Sequence, residues 1–182
     1  GGAIIRRQMN RKSLIPVLLT ALAAFGARAD SFAAPVASGM LRPAERIVVR
    51  KSDRRMELWR DGALIANYRI SLGLVPEGHK QREGDYRTPE GTYTLTRRNA
   101  RSDFFLAVQV SYPEPGDIAL ARRNGWSPGG LIMVHGLPNL PKYPRDRYLN
   151  TDWTDGCIAL SNEDMLDFWL LTGQGTPIEI RP

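Results

Sequence analysis

The chain has 182 residues, of which 42% are hydrophobic and 24% are charged, and its formal net charge is +6. Residues 1–29 hold five of the 25 basic side chains and none of the 19 acidic ones, which leaves 20 basic and 19 acidic side chains in the other 153 residues. A nearly neutral body of this length fits one domain with its own core, and its charge balance argues against a nucleic-acid partner.

The first 29 residues predict a secretory signal peptide. A basic stretch precedes an apolar run from Leu14 to Phe25, and small residues then form an A-x-A cleavage pattern before Asp30. The run is shorter than the ~20 residues that a membrane-spanning helix needs. We therefore expect an exported protein whose mature chain begins near Asp30. We interpret residues 1–8 as an extension upstream of the true start residue, Met9.

The next segment, residues 30–44, is small, proline-containing and without periodicity, which is typical of a linker. The rest of the chain, residues 45–182, predicts a single, mainly β domain. An Asp61-Gly62 pair signals one hairpin, and Tyr93 and Leu95 share one face of an alternating strand. The predicted strands cover residues 46–51, 54–60, 63–73, 104–112, 129–136 and 176–182, and a further strand follows a turn at 89–91 within the segment 88–98.

Only two helices are predicted, over residues 115–125 and 161–173. The second begins with Ser161 or Asn162 as its N-cap, carries acidic residues in its first turn and ends at Gly173. Between the strand at 129–136 and this helix, residues 137–153 contain three prolines, which we expect to prevent regular structure. A connection of this length in a compact domain is usually a functional lid or a disordered segment.

The only cysteine of the chain, Cys157, follows Gly156 directly after this connection, and His135 ends the strand before it. One interpretation is that Cys157 is a buried small hydrophobe. Because an unpaired thiol is exposed to oxidation outside the cytoplasm, and because the connection is flanked by this thiol and a strand-end imidazole, we favour a Cys–His nucleophilic site.

A thiol with a pKa of ~8.5 is mostly protonated at neutral pH, so an imidazole that accepts its proton makes the nucleophile and later returns the proton to a leaving amine. Gly156 would let backbone N–H groups approach a developing oxyanion. A third group normally orients the imidazole. Asp152, Asp155 or a backbone carbonyl remain open for that task, and a zinc site is a weaker alternative because no metal-ligand spacing supports it.

Three segments, in this order and spacing, resemble the L,D-transpeptidase catalytic domain of the YkuD type, in its compact Gram-negative branch. They are SLGLVPEGHKQREGDYRTPEGTYTL, SPGGLIMVHGLPN and DWTDGCIALSNEDM. The resemblance covers residues 45–182. It implies a YkuD-type β-sandwich or barrel of mixed strands with one or two short helices, a periplasmic location, and neither cofactor nor metal.

Carried over by position, the resemblance makes Cys157 the nucleophile and His135 the general base and acid. Gly136 follows the base, Thr154 stands where the family has Ser or Thr, and Gly156 with Cys157 would supply oxyanion donors. Two departures from the family pattern are present. Many members have His where this chain has Asp155, whose carboxylate would make the turn less favourable to a thiolate. Many also have Arg, a candidate anchor for a substrate carboxylate, where this chain has Ala159, so this departure concerns donor and acceptor preference.

The implied reaction is attack of the thiolate on the third residue of a peptidoglycan tetrapeptide stem, release of D-alanine, and transfer of the acyl group to an amine. That amine belongs to another stem, giving a 3-3 cross-link, or to a lysine of an envelope protein. Two alternatives stay open: an L,D-carboxypeptidase or hydrolase that uses the same site, and an inactive wall-binding module. We expect a monomer that binds no nucleic acid.

The segment 78–91 adds candidate substrate contacts. Lys80, Arg82 and Arg87 would line a groove for anionic stem peptides, or would be solvated charges of a long hairpin loop. His79 is interpreted as a surface residue rather than a second base. Among the tryptophans, only Trp153, beside the reactive turn, is a candidate for substrate contact.

Overall fold

A computed structural model describes residues 42–182 of the protein, so the predicted signal peptide and most of the predicted linker lie outside the described residues. Within 42–182 the chain is mainly β. Its strands are β1 (Arg46–Arg50), β2 (Arg55–Arg60), β3 (Ala63–Arg69), β4 (Gly91–Ser102), β5 (Phe105–Val110), β6 (Met133–His135), β7 (Ile158–Ala159) and β8 (Pro177–Arg181). Its helices are α1 (Pro115–Arg123), α2 (Arg145–Asn150) and α3 (Asn162–Leu171).

The strands form one sheet in the order β3-β2-β1-β8-β4-β5-β6-β7. The pairs β1/β8 and β6/β7 are parallel and the other pairs are antiparallel, so the strands are mixed, as expected. The segment after β3 then returns to the opposite edge, where Ser71 and Ala159 exchange two backbone hydrogen bonds of 2.9 and 2.8 Å. The sheet therefore closes on itself, which confirms the predicted barrel-like class.

Local sequence explains the strand pairing. The β2–β3 hairpin turns at Asp61 and Gly62, both of which have positive φ values, of 50° and 73°. This backbone matches the right-handed twist of the strands, and it confirms the hairpin signal. Tyr93 and Leu95 are both buried on one face of β4. The largest differences in strand length are at β3, which ends at Arg69, and at β6, which begins only at Met133; both are much shorter than predicted.

The helices α1 and α3 confirm the two predicted ones, and the Ser161 hydroxyl caps α3 by accepting the Asp164 N–H. The expectation that residues 137–153 hold no regular structure was wrong, because α2 begins directly after Pro144. Proline is tolerated at a helix start, where its missing N–H has no partner to lose. The segment also buries Tyr148, so it packs onto the domain.

The core lies inside the closed sheet and under α3. It joins side chains of most strands with two residues of the helix, including Ile47, Met56, Leu58, Tyr93, Ile158, Met165, Phe168 and Ile178. Ala44, the last residue of the predicted linker, is already part of this core, and its N–H donates to the Leu171 carbonyl. In the part of the chain that the structure describes, no helix is long and apolar enough to cross a membrane.

Candidate active site

Strand pairing brings Cys157 and His135 together. The register of β6 with β7 sets Val134 beside Ile158 and His135 beside Ala159, so Cys157, one residue before β7, follows on from this register opposite Met133. Because alternate residues of a strand point to the same face, Cys157 and His135 share a face of the sheet. Their Cα atoms are separated by one strand spacing across the sheet and by two residues along it, which is about 8 Å. Both side chains line one cavity of about 640 Å³.

The His135 imidazole is buried, with 5% of the residue exposed, and is held by a backbone carbonyl. Its Nδ1 lies 2.7 Å from the Gly136 oxygen. Because a carbonyl can only accept, Nδ1 carries the proton and Nε2 is left as a hydrogen-bond acceptor. Burial lowers the pKa of His135 to about 4, although the bond to Gly136 opposes this shift. The imidazole is therefore neutral at pH 7, as a general base must be.

The tight surroundings of Gly136 explain why glycine follows His135. Its N–H lies 3.0 and 3.1 Å from the Phe104 and Leu106 carbonyl oxygens. A Cβ atom at this position would come within 2.7 Å of Asn162 Oδ1 and 2.9 Å of Phe105 Cβ. Any larger residue would displace the peptide whose carbonyl orients His135.

The Cys157 thiol is half-buried, and its Sγ accepts the Met133 N–H at 3.4 Å. Burial raises the pKa of this thiol; the Met133 N–H opposes the shift, Asp155 adds to it and Lys80 counteracts it. The effect of Asp155 agrees with the expectation that its carboxylate disfavours a thiolate. The resting pair is therefore a thiol and a neutral imidazole, and the proton would move only when the thiol attacks.

Thr154 holds together the turn before Cys157 with two hydrogen bonds. Its hydroxyl accepts the Gly156 N–H at 3.1 Å and donates to the Cys157 carbonyl at 2.7 Å. Gly156 has a φ of +130°, and a Cβ atom there would lie 2.6 Å from the Arg87 carbonyl oxygen. The Gly156 N–H is thus engaged inside the turn, whereas the Cys157 N–H has no protein acceptor within residues 42–182.

Neither aspartate of this region orients His135. Asp152 forms an ion pair of 2.8 Å with Arg54 and accepts the Leu72 N–H, which fixes the start of the turn against the segment after β3. Asp155 is exposed and lines the cavity beside Cys157. Of the three groups that the sequence left open, the structure selects the backbone carbonyl.

The predicted basic residues of the loop 78–91 separate in the structure. Lys80 is buried, pairs with Asp85 at 2.7 Å and lines a second cavity of about 320 Å³ that also contains Cys157. Arg82 instead stacks over the Trp126 ring. Arg87 meets the site through its backbone carbonyl, against Gly156. Neither arginine side chain lines the two cavities at the cysteine.

His79 holds this loop to α1. Its Nε2 lies 3.1 Å from Asp117 Oδ1, and its Nδ1 accepts the Glu90 N–H. The side chain is partly buried, so the interpretation of His79 as a simple surface residue needs correcting, although it does not line the cavities at Cys157.

Trp153 lies beside the base. Its ring centroid is 5.6 Å from that of His135 and 6.0 Å from that of Phe104. With Phe104 it also borders a third cavity of about 750 Å³, which lies under residues 138–153. Sequence reasoning missed Phe104, whose ring centroid is 4.7 Å from His135. A phenylalanine at a strand start carries no chemical motif, so no signal was available to find it.

Within residues 42–182, no three His, Cys, Asp or Glu side chains meet in a geometry that could hold a metal ion.

A family model described as the YkuD L,D-transpeptidase catalytic domain matches residues 44–180. Among curated proteins, YafK of Escherichia coli (strain K12), provisionally named an L,D-transpeptidase, is 29% identical over 96 residues. That match covers 50% of this chain and 37% of YafK.

Among solved structures, the helical cell shape determining protein Pgp2 of Campylobacter jejuni is 26% identical with a TM-score of 0.58, over 77% of this chain and 48% of that one. Bd1075 of Bdellovibrio bacteriovorus is 22% identical with a TM-score of 0.53, over 78% of this chain and 51% of that one, and shows likeness of fold alone. The chain thus spans about a third to a half of the length of these relatives.

Proposed function

The chain belongs to the YkuD family of L,D-transpeptidase catalytic domains, and we propose that it is a cysteine acyltransferase that acts on peptidoglycan tetrapeptide stems. The observation that carries this proposal is the neutral His135 imidazole, held with its Nε2 free to accept, on the same face and in the same cavity as the only thiol of the chain. This arrangement also argues against an inactive wall-binding module.

In the proposed first half-reaction, the Cys157 thiol gives its proton to His135 Nε2 as the sulfur attacks the carbonyl of the third stem residue. The new C–S bond produces a tetrahedral oxyanion, for which the Cys157 N–H is the available donor. The imidazolium then protonates the leaving amine of D-alanine as the C–N bond breaks. The products are a thioester on Cys157, free D-alanine and a neutral imidazole.

In the second half-reaction an amine attacks the thioester, His135 accepts its proton, and the sulfur leaves as the thiol. The cavities of about 640 and 320 Å³ share three lining residues, which are Cys157, Leu131 and Asp155. Two molecules can therefore approach the sulfur from different sides. This geometry supports transfer between two substrates.

Family membership supports action outside the cytoplasm, and we propose the periplasm as the location. Export by residues 1–29 remains a prediction.

The acceptor distinguishes a transpeptidase from an L,D-carboxypeptidase or hydrolase, in which water resolves the same thioester. Asp155 favours the amine, because its exposed carboxylate lies in both cavities beside Cys157 and would attract an ammonium group before it is deprotonated. An amine of another stem or a lysine of an envelope protein would meet this requirement.

Purified tetrapeptide muropeptides, incubated with the protein with and without an added amine acceptor, test this proposal. We expect a cross-linked or amine-tagged product only with the acceptor, and no product from Cys157→Ser. Tripeptide release alone, at any acceptor concentration, would establish hydrolysis instead. A carbapenem should add its own mass to the intact protein, and absence of this adduct in the mass spectrum would exclude the enzyme.

A further inference from the structure

We propose that Asn162 is a positioning residue for the His135 base, acting through the peptide group between Gly136 and Leu137. This inference rests on the proposed function, since it assigns a role in the same Cys–His chemistry. Nothing in the sequence pattern beyond a choice of N-cap pointed to this asparagine.

Two hydrogen bonds meet on one peptide group. Its carbonyl, that of Gly136, accepts from His135 Nδ1 at 2.7 Å, and its N–H, that of Leu137, donates to Asn162 Oδ1 at 2.8 Å. The peptide unit is planar, so a side chain that fixes the N–H also fixes the direction of the C=O. A hydrogen bond to the N–H further polarises the carbonyl and strengthens it as an acceptor.

The surroundings leave this task to Asn162. Oδ1 would lie only 2.7 Å from a Cβ atom at position 136, so glycine is what admits the amide so close to the backbone. Within residues 42–182, the side-chain hydrogen bonds to this peptide group come from His135 and Asn162 alone. On the other side, the Gly136 N–H is held by backbone carbonyls.

Chain topology delivers the asparagine to this place. The Leu160 N–H donates to the His135 carbonyl at 2.9 Å, and α3 begins two residues later. Ser161 caps the helix through the Asp164 N–H at 3.0 Å, so the Asn162 side chain is not needed for capping. Of the two N-cap candidates in the sequence, Ser161 caps the helix, and Asn162 instead accepts the Leu137 N–H beside His135.

The consequence concerns the tautomer of His135. A well-directed Gly136 carbonyl keeps the proton on Nδ1, which leaves the Nε2 lone pair to accept the thiol proton. If the peptide turns away, the tautomer with the proton on Nε2 gains population, and that tautomer cannot act as the base. Asn162 therefore sets the fraction of molecules in which the base is competent.

Imidazole NMR of ¹⁵N-histidine-labelled protein tests this directly, because the chain has only two histidines. The wild-type His135 should show a single Nδ1–H tautomer, assigned by its absence in His135→Ala. In Asn162→Ala the Nδ1–H signal should weaken and the Nε2–H tautomer should appear. The rate of Cys157 alkylation by iodoacetamide, a probe that needs no peptidoglycan, should fall about tenfold, as expected for one lost hydrogen bond.

Two further variants separate positioning from helix stability. Ser161→Ala frays the same helix start but keeps the Asn162 bond, so its tautomer and alkylation rate should remain close to wild type. Asn162→Asp keeps an acceptor, so it should move the Nδ1–H proton downfield and preserve the rate. If Asn162→Ala does not fold, this downfield shift decides the matter.

A wild-type tautomer and rate in Asn162→Ala, an equal loss of rate in Ser161→Ala, or an unchanged Nδ1–H proton in Asn162→Asp would each overturn the inference. Failure of the proposed function has a different signature: His135→Ala would alkylate as fast as wild type, whatever the tautomer of His135 in the Asn162 variants.

Discussion

Burial shifts the pKa values of the two candidate catalytic side chains, His135 and Cys157, in opposite directions. Burial lowers the pKa of His135 to about 4 and raises that of Cys157, so both groups rest in their neutral forms. Because little thiolate is present at rest, nucleophilic attack by such a thiol requires a general base that removes its proton during the attack. The thiol is also less exposed to oxidation, since the thiolate is the reactive form.

This tuning predicts the pH dependence of carbapenem capture by Cys157. The imidazole must be unprotonated to act, so as pH falls the capture rate should be retained through the ordinary histidine range near 6.5 and lost only around pH 4, where His135 becomes protonated. Stopped-flow measurement of adduct formation across this range checks the prediction. An acid limb centred near pH 6.5 would contradict it.

His135→Ala is the matched control for this profile. It should slow capture by about 10²- to 10⁴-fold, the usual contribution of a general base, and should lack the acid limb. His79→Gln, which alters the other histidine away from the cavities, should retain the wild-type profile.

The turn from Thr154 to Cys157 shows what a short motif contributes to a site. Gly156 provides a backbone with positive φ pressed against the Arg87 carbonyl, and Thr154 closes the turn with two hydrogen bonds. Within residues 42–182 the Cys157 N–H donates to no protein acceptor. The turn thus sets the position of Cys157, which carries both the thiol and the proposed oxyanion donor.

Thr154→Val should therefore impair the site while leaving the fold intact. The valine keeps the shape but loses both hydroxyl bonds, so we expect carbapenem capture to slow about tenfold and the free energy of unfolding to fall by about 1–2 kcal/mol. Capture kinetics and urea unfolding measure the two effects. The control is Thr96→Val in β4, which removes a hydroxyl bond to the Gln109 carbonyl of β5 and should change stability but not capture. Equal capture rates in both variants would refute the role of the turn.

Prediction from sequence succeeded where one local signal decides a structure. The Asp61-Gly62 hairpin, the buried face of Tyr93 and Leu95, and the capped start of α3 all follow from neighbours along the chain. It failed at α2, because a proline that breaks regular structure inside a helix is tolerated directly before one, and α2 starts immediately after Pro144. It could not find the Asn162 bond or the neighbour Phe104, since both depend on elements that meet only after folding.

Closure of the sheet brings the segment after β3 against the candidate site. The segment after β3 pairs with β7 and with the nucleophile turn, through Ser71 with Ala159 and Gly73 with Thr154. Thr88 in turn accepts the Gly73 N–H through its hydroxyl, and Arg87 lies against Gly156. The loop 78–91 therefore forms a wall at the turn: Arg87 packs against Gly156, and Lys80 with its neighbours in the loop lines the cavity of about 320 Å³ beside Cys157.

A buried lysine anchors this wall. Lys51, at the end of β1, is 2% exposed and donates to the Gly78 and Thr88 carbonyls at 2.7 and 3.1 Å and to the Glu90 carboxylate at 2.7 Å. Burial lowers the pKa of Lys51, while Glu90 opposes the shift and favours the charged form. Sequence reasoning did not single out this residue, because a lysine at a strand end usually faces solvent.

Lys51→Met tests the anchor. It keeps the aliphatic stem but leaves two carbonyls and the Glu90 carboxylate without their donor, so the free energy of unfolding should fall by about 3–5 kcal/mol, as for a broken buried pair. Lys51→Met combined with Glu90→Gln should recover part of this loss, because no uncompensated charge remains. Urea unfolding measures both effects. The control is Arg50→Met at the preceding residue, whose ion pair with Glu57 is more exposed, and it should lower the free energy of unfolding by no more than about 1 kcal/mol. If Lys51→Met were as mild as Arg50→Met, the loop would hold its place through its turns alone, and the wall behind Gly156 would not depend on β1.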